Sequence, residues 1–207
     1  MPGPPATRVL LLRHAETAAP DRFHGAESDV GLGDRGRQQA EAAAPVIADL
    51  SPVALYCSAM VRARQTARPI GSACNLEPVE VPELHERRMG ILSGRVMDEA
   101  RDLYLATKER WKAGDLEAAH EGAESFAQIR DRVVPAFTAL AHHLTSRTIV
   151  VVAHGVVIRV LLATLLEGHG PQDFDRFGID FVAVNDLRLE GGTWLASSMN
   201  GCPVGMN

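Results

Sequence analysis

Two histidines close short apolar runs in this chain: Arg13-His14 follows Val9-Leu10-Leu11-Leu12, and His154-Gly155 follows Val150-Val151-Val152-Ala153. Runs of this kind read as buried parallel strands, and ligands gather beyond the carboxyl ends of such strands in open α/β sheets. The two histidines are therefore expected to face one crevice, although they are far apart in sequence. A neutral imidazole can attack phosphorus when its other ring nitrogen is fixed by a hydrogen bond and the phosphoryl oxygens are held by donors. Arg13 offers one fork of donors. Arg62 offers a second, because it falls one turn after Ser58 near the amino end of a predicted helix, where anions are already favoured. The chemistry open to these residues together is phosphoryl transfer. Arg64 and Arg68, on the same helix, read as solvated.

The elements that must position these groups alternate. Arg8 to Leu12 reads as a strand. Asp34 to Leu50 reads as a helix with Ala40, Ala43, Ala44, Ile47 and Leu50 on its apolar face and a kink expected at Pro45. Val53 to Cys57 is a second strand, Ser58 an N-cap, and Ala59 to Ile70 a helix ending near Gly71. A further strand is expected over Pro78 to Val81 and a helix over Val96 to Ala113, closed by Gly114. Ser125 and Gln128 form a capping-box pattern that opens a helix to about Leu144, interrupted at Pro135. Ile149 to Ala153 and Val156 to Leu166 form the second strand-to-helix unit. Phe181 to Asn185, Leu187 to Leu189 and Thr193 to Ala196, with Gly191-Gly192 between the last two, read as a closing β-hairpin. The predicted fold is α/β, a mostly parallel central sheet with helices on both faces and an antiparallel edge. One domain is expected over 1–207, with tails at 1–7 and about 199–207.

Composition narrows the partners. With 21 basic against 26 acidic residues and a net charge of −5, the chain has no footprint for nucleic acid or an anionic membrane. Any positive potential must be local to a pocket. Three cysteines, Cys57, Cys74 and Cys202, show neither CxxC nor Cys/His spacing, so neither a disulfide framework nor a metal site is expected. The start of the chain lacks the basic and apolar regions of a signal peptide, and no apolar run approaches the roughly 18 residues that span a bilayer. A cytoplasmic location is expected.

Five motifs in order carry a family resemblance. Arg13-His14-Ala15-Glu16-Thr17; Ser58 with Arg62 to Ala67; Glu83-Leu84-His85-Glu86 with Gly90 and Gly94; Gly122-Ala123-Glu124-Ser125; and Ala153-His154-Gly155 together resemble the histidine phosphatase superfamily, which includes the phosphoglycerate mutases. Leu32, Gly36 and Gln39-Ala40 resemble the segment after that family's first loop. The resemblance implies a phosphoglycerate mutase-like fold and a phosphomonoester hydrolase with no cofactor, acting on a small phosphorylated metabolite. It implies His14 as the nucleophile that becomes a phosphohistidine. Arg13, Arg62 and His154 would bind the transferred phosphoryl group, with Gly155 beside the substrate, and Glu86 would donate the proton to the leaving oxygen. Glu83 is the nearby rival for that role. A homodimer is compatible with the resemblance.

The departures bear on activity. Ala18-Ala19-Pro20-Asp21 contains no asparagine where many members use one to hold phosphate, and His24 stands where many have glutamine or threonine, which makes it a candidate substrate contact. Leu84 to Gly94 resembles the corresponding mutase segment, Glu86-Arg87 above all, yet the interval from Glu86 to Glu124 is shorter than the mutase insertion that excludes water. A phosphohistidine reached by water hydrolyses, whereas a shielded one returns its phosphoryl group to another hydroxyl. Phosphatase is therefore the reading, a cofactor-dependent mutase the alternative, and a phosphate-binding protein without turnover the third class. Substrate specificity is expected from Val96 to Glu121 and from Gly168 to Asp180.

Overall fold

The computed structural model describes residues 6–202. A six-stranded sheet runs in the order β3-β2-β4-β1-β5-β6, with β1 at Ala6–Arg13, β2 at Ala54–Cys57, β3 at Val79–Glu80, β4 at Thr148–Ala153, β5 at Val184–Glu190 and β6 at Thr193–Gly201. The first four strands pair in parallel; β5 pairs antiparallel with β1, and β6 with β5. The expected mostly parallel sheet with an antiparallel edge is therefore present. The helices are α1 (Asp34–Ala48), α2 (Val61–Cys74), α3 (Arg101–Lys112), α4 (Phe126–His143) and α5 (Gly155–Leu165).

Continuous apolar runs at β1 and β4 are what a doubly covered sheet demands. Val9 and Leu11 alternate with Leu10 and Leu12 so that the odd pair packs with α4 and α5, and the even pair with α1 and α2. In β4, Ile149, Val151 and Ala153 join the first layer, and Val150 and Val152 the second. Cys57 is a buried core residue of the second layer. No described helix is long and apolar enough to cross a membrane.

Several boundaries differ from the sequence reading. Pro45 and Pro135 neither end nor interrupt α1 and α4; both lie on exposed faces, where the carbonyl each releases can be hydrated. The second helix is capped by Met60 rather than Ser58, and runs past Gly71 to a left-handed Asn75. The helix expected from Val96 begins only at Arg101, because Val96 pairs with Arg22 and the amide of Met97 donates to the Asp21 carbonyl. The final hairpin starts at Val184 rather than Phe181, since Val182 holds a positive φ of 54°. Ala6 and Thr7 belong to β1 and residues 199–201 to β6, so these parts of the expected tails are strand; residue 202 is exposed beyond β6, and the other residues of both expected tails, 1–5 and 203–207, lie outside the described residues.

Candidate active site

β1 and β4 are central neighbours, and the helices that follow them, α1 and α5, leave toward opposite faces. That divergence opens a crevice beyond the strand ends. A cavity of about 370 Å³ occupies it, with Arg13, His14, Arg62, Glu86, Gly155 and Arg159 among its lining residues. Phe23, Met89, Met97, Tyr104 and Phe181 supply an apolar wall.

Register brings the two histidines together. Arg13 lies opposite Ala153, the amide of His14 donates to the Ala153 carbonyl at 2.9 Å, and the rings of His14 and His154 stand 5.1 Å apart, centre to centre. Nδ1 of His14 lies 2.7 Å from the carbonyl oxygen of Ala15. A carbonyl only accepts, so Nδ1 carries the proton and Nε2 keeps a lone pair. Burial, reinforced by the charges of Arg62 and Arg13, holds this imidazole well below its usual 6.5. His14 is therefore a neutral imidazole with its nucleophilic nitrogen uncommitted.

The loop beyond His14 is fixed by residues of the family-like segments. The amide of Ala15 donates to Oγ1 of Thr66 (2.9 Å), whose hydroxyl donates to the Arg62 carbonyl (2.8 Å). The amide of Glu16 donates to Oε1 of Gln39 (2.9 Å), and that of Leu32 to Oε1 of Gln65 (2.7 Å). Gly36 is needed for closeness rather than for freedom: a β-carbon there would fall 1.9 Å from the Glu16 carbonyl oxygen. Arg62 and the loop after His14 are thus tied into one unit.

Arg13 and Arg62 are held by carbonyls, and Arg13 also by aromatic stacking. Arg13 Nη1 donates to Ile179 at 2.8 Å, and its guanidinium carbon lies 4.0 Å from the centre of the Phe181 ring. The left-handed backbone at Val182 turns Phe181 into this position, and a β-branched residue there is strained. Burial depresses both arginines, Arg13 to about 10. Nε of each, and both ring nitrogens of His154, are buried without a hydrogen-bond partner. An anion placed among these groups would accept from both arginines and from the one N–H of the neutral His154, and unmet buried donors are costly.

His24 departs from its expected part. It lines the cavity, but its Nδ1 is bonded to Ser28 (2.8 Å) and its Nε2 to the Ala19 carbonyl (2.7 Å). No ring nitrogen remains for a substrate; instead its carbonyl, with that of Ser28, receives the Nη atoms of Arg62 at 3.2 and 3.1 Å. Between the two candidate acids, geometry separates the roles. Glu86 lines the cavity, with Oε1 accepting from the Arg87 amide (2.8 Å) and Oε2 from the Val156 amide at the start of α5 (3.2 Å). Glu83 is exposed and lends only its backbone carbonyl to Arg132.

The expected specificity segments contribute differently from their sequence. Trp111, His120 and Phe177 are buried structural residues, and Lys108 and Lys112 pair with Asp175. Met97 and Tyr104 reach the cavity instead, while the second segment offers carbonyls: Ile179 to Arg13 and Phe177 to Arg159. Arg22, Phe181 and Arg159 were not among the candidate residues. For Arg159 a signal existed, since it falls four residues after Gly155, one turn along the helix that starts at the site.

Comparison with known proteins places this arrangement among relatives. The family model of the histidine phosphatase superfamily (branch 1) matches residues 9–201. The chain is 32% identical over 198 residues to a metal-independent phosphoserine phosphatase of Arabidopsis thaliana, covering 91% of this chain and 81% of that protein. It is 29% identical to a probable phosphoglycerate mutase GpmB of Erwinia tasmaniensis, covering 92% and 88% respectively. The solved structure of a mycobacterial glucosyl-3-phosphoglycerate phosphatase complexed with VO3 superposes with a TM-score of 0.83 at 26% identity, covering 94% of this chain and 98% of that one.

Proposed function

Because this chain belongs to the histidine phosphatase superfamily, we propose that it hydrolyses small phosphomonoesters through a phosphohistidine on His14 and that residues 1–207 form one domain of this kind. The observation that carries the reading is the neutral His14, its Nδ1 bonded to Ala15, set against the unpartnered donors of Arg13, Arg62 and His154. Nε2 of His14 attacks phosphorus as the ester P–O bond breaks, and the carboxyl of Glu86 gives its proton to the leaving alkoxide. The resulting carboxylate then takes a proton from the water that breaks the P–N bond, releasing inorganic phosphate. Arg13, Arg62 and the start of α5 meet the charge on the equatorial oxygens. His24 serves by holding Arg62.

The positive charge in this mechanism is guanidinium charge, so release of phosphate from p-nitrophenyl phosphate is expected to continue in excess chelator and to be inhibited competitively by vanadate. Loss of activity on chelation, restored by Mg²⁺ or Zn²⁺, would overturn that assignment. A second expectation separates the clamp from the surface: Arg62→Ala lowers kcat/KM by roughly 10² or more, the scale for losing one oriented donor, while the exposed Arg68→Ala changes it little. Equal effects would place the pocket elsewhere.

The likeness to a probable phosphoglycerate mutase, together with the Glu86-Arg87 pair, supports a second reading in which the phosphoryl group returns to another hydroxyl of the substrate. Incubation with either phosphoglycerate separates the two: free phosphate marks the hydrolase, the isomeric phosphoglycerate the mutase.

A further inference from the structure

The cavity holds more positive charge than one phosphoryl group uses. Four guanidinium groups line it, those of Arg13, Arg22, Arg62 and Arg159, against the single carboxylate of Glu86. Each spends hydrogen bonds on backbone carbonyls: Arg22 on Gly94, Arg159 on Phe177 and, at 3.4 Å, on Gly155, and Arg13 and Arg62 as described. Carbonyls orient a guanidinium without neutralising it. Among the described residues none of these four pairs with a carboxylate, whereas ten other arginines do. The exposed Arg68, Arg95, Arg147 and Arg188 also pair with no carboxylate, but none of them lines this cavity; the four that do converge on one concave site, where guanidinium charge that is not neutralised is available to an anionic ligand.

Arg13 and Arg62 flank the attacking nitrogen and are taken up by the transferred phosphoryl group. Arg159 is a third guanidinium beside Arg13 at Gly155, where a β-carbon would lie 3.6 Å from Arg13 Nε and 3.5 Å from Arg159 Nη1. Arg22 sits on the exposed rim, beside the wall formed by Phe23 and Met97. A phosphate dianion and Glu86 together do not balance four guanidinium charges.

We propose that Arg159, with Arg22 at the rim, forms a subsite for a second anionic group of the substrate, a carboxylate or a second phosphate a few bonds from the ester oxygen. This rests on the phosphomonoesterase reading of the same cavity. It makes Arg159 a specificity-determining residue. The preferred substrates are then compact phosphorylated acids or bisphosphates, in keeping with a volume of about 370 Å³, and neutral phosphorylated alcohols are poor ones.

Binding measured by calorimetry in the His14→Ala protein tests the subsite apart from turnover. On one three-carbon skeleton, 3-phosphoglycerate carries a carboxylate, glycerol 1,3-bisphosphate a second phosphate, and glycerol 1-phosphate neither. At least one of the dianchored ligands is expected to bind about tenfold or more tightly than glycerol 1-phosphate, and the tighter one identifies the second anion. Adding Arg159→Gln brings that ratio near one, Arg159→Lys keeps part of it, and Arg22→Gln, on the exposed rim, lowers it without endangering the fold. Equal affinities for all three ligands, or a ratio that survives Arg159→Gln, would overturn the proposal. Should Arg159→Gln not fold, the parent ratio and the Arg22→Gln ratio decide. Failure of the parent protein to hydrolyse p-nitrophenyl phosphate refutes the hydrolase reading alone, because these affinities do not depend on turnover.

Discussion

Replacing His14 by alanine is expected to remove turnover almost completely, by a factor on the order of 10⁴ or more, because the phosphoryl group then has no protein atom to move to. In the parent protein, incubation with a turned-over phosphoester followed by a basic quench should trap phosphate that is stable to alkali, labile to acid, and attached to His14. The geometry argues for this residue over His154, its ring neighbour at 5.1 Å. Of the two, only His14 has a ring nitrogen bonded to a carbonyl, which fixes the tautomer and aims the lone pair; both nitrogens of His154 are unpartnered, and the single N–H of its neutral ring is free to donate toward a phosphoryl oxygen. The same burial and arginine charge that depress His14 keep it neutral below its usual 6.5, so protonation of this residue will not impose an acid limb on kcat/KM near that pH. Label on another side chain, or undiminished turnover in His14→Ala, would each count against the assignment.

What the sequence made legible was the pair of strand ends. Val9 to Leu12 and Val150 to Ala153 could only be buried on both faces, and strands of that kind become neighbours at the centre of a sheet, so the meeting of His14 and His154 followed from local pattern plus topology. Arg62 and Glu86 became visible through ordered motifs. The parts that stayed hidden depend on tertiary approach. Phe181 looked like the start of a strand until the left-handed Val182 turned it beneath Arg13, and no propensity announces a positive φ at a β-branched residue. Arg87 entered only as the neighbour of Glu86 in the mutase-like segment, yet it is fully buried against Trp111, with Nε donating to the Glu124 carbonyl at 2.9 Å. His24 had the chemistry of a ligand contact, but Ala19 and Ser28 consume both nitrogens. In each case the residue type was right for a site, and only its neighbours settled what it could do.

The second large effect is expected at Glu86, and it should depend on the leaving group. An alkoxide leaves phosphorus poorly unless it is protonated, whereas p-nitrophenolate leaves with little help. Glu86→Gln should therefore lower kcat/KM for alkyl phosphates by roughly 10² to 10⁴ and spare p-nitrophenyl phosphate to within about tenfold. The carboxyl is placed for this by two amides, that of Arg87 on Oε1 and that of Val156 on Oε2, which hold it in the cavity wall next to the start of the helix that carries Gly155. The glutamine keeps an acceptor oxygen for one of these amides and a similar shape, so a selective defect reports the missing proton rather than a collapsed wall. Glu83→Gln is the control: its side chain is exposed and outside the cavity lining, so both substrates should be cleaved at nearly the parent rate. A defect of equal size for the two substrates in Glu86→Gln would mean that Glu86 shapes or charges the pocket without delivering a proton. A selective defect confined to Glu83→Gln would mean that the loop from Pro82 to Arg88 moves during the reaction far enough to exchange the two carboxylates.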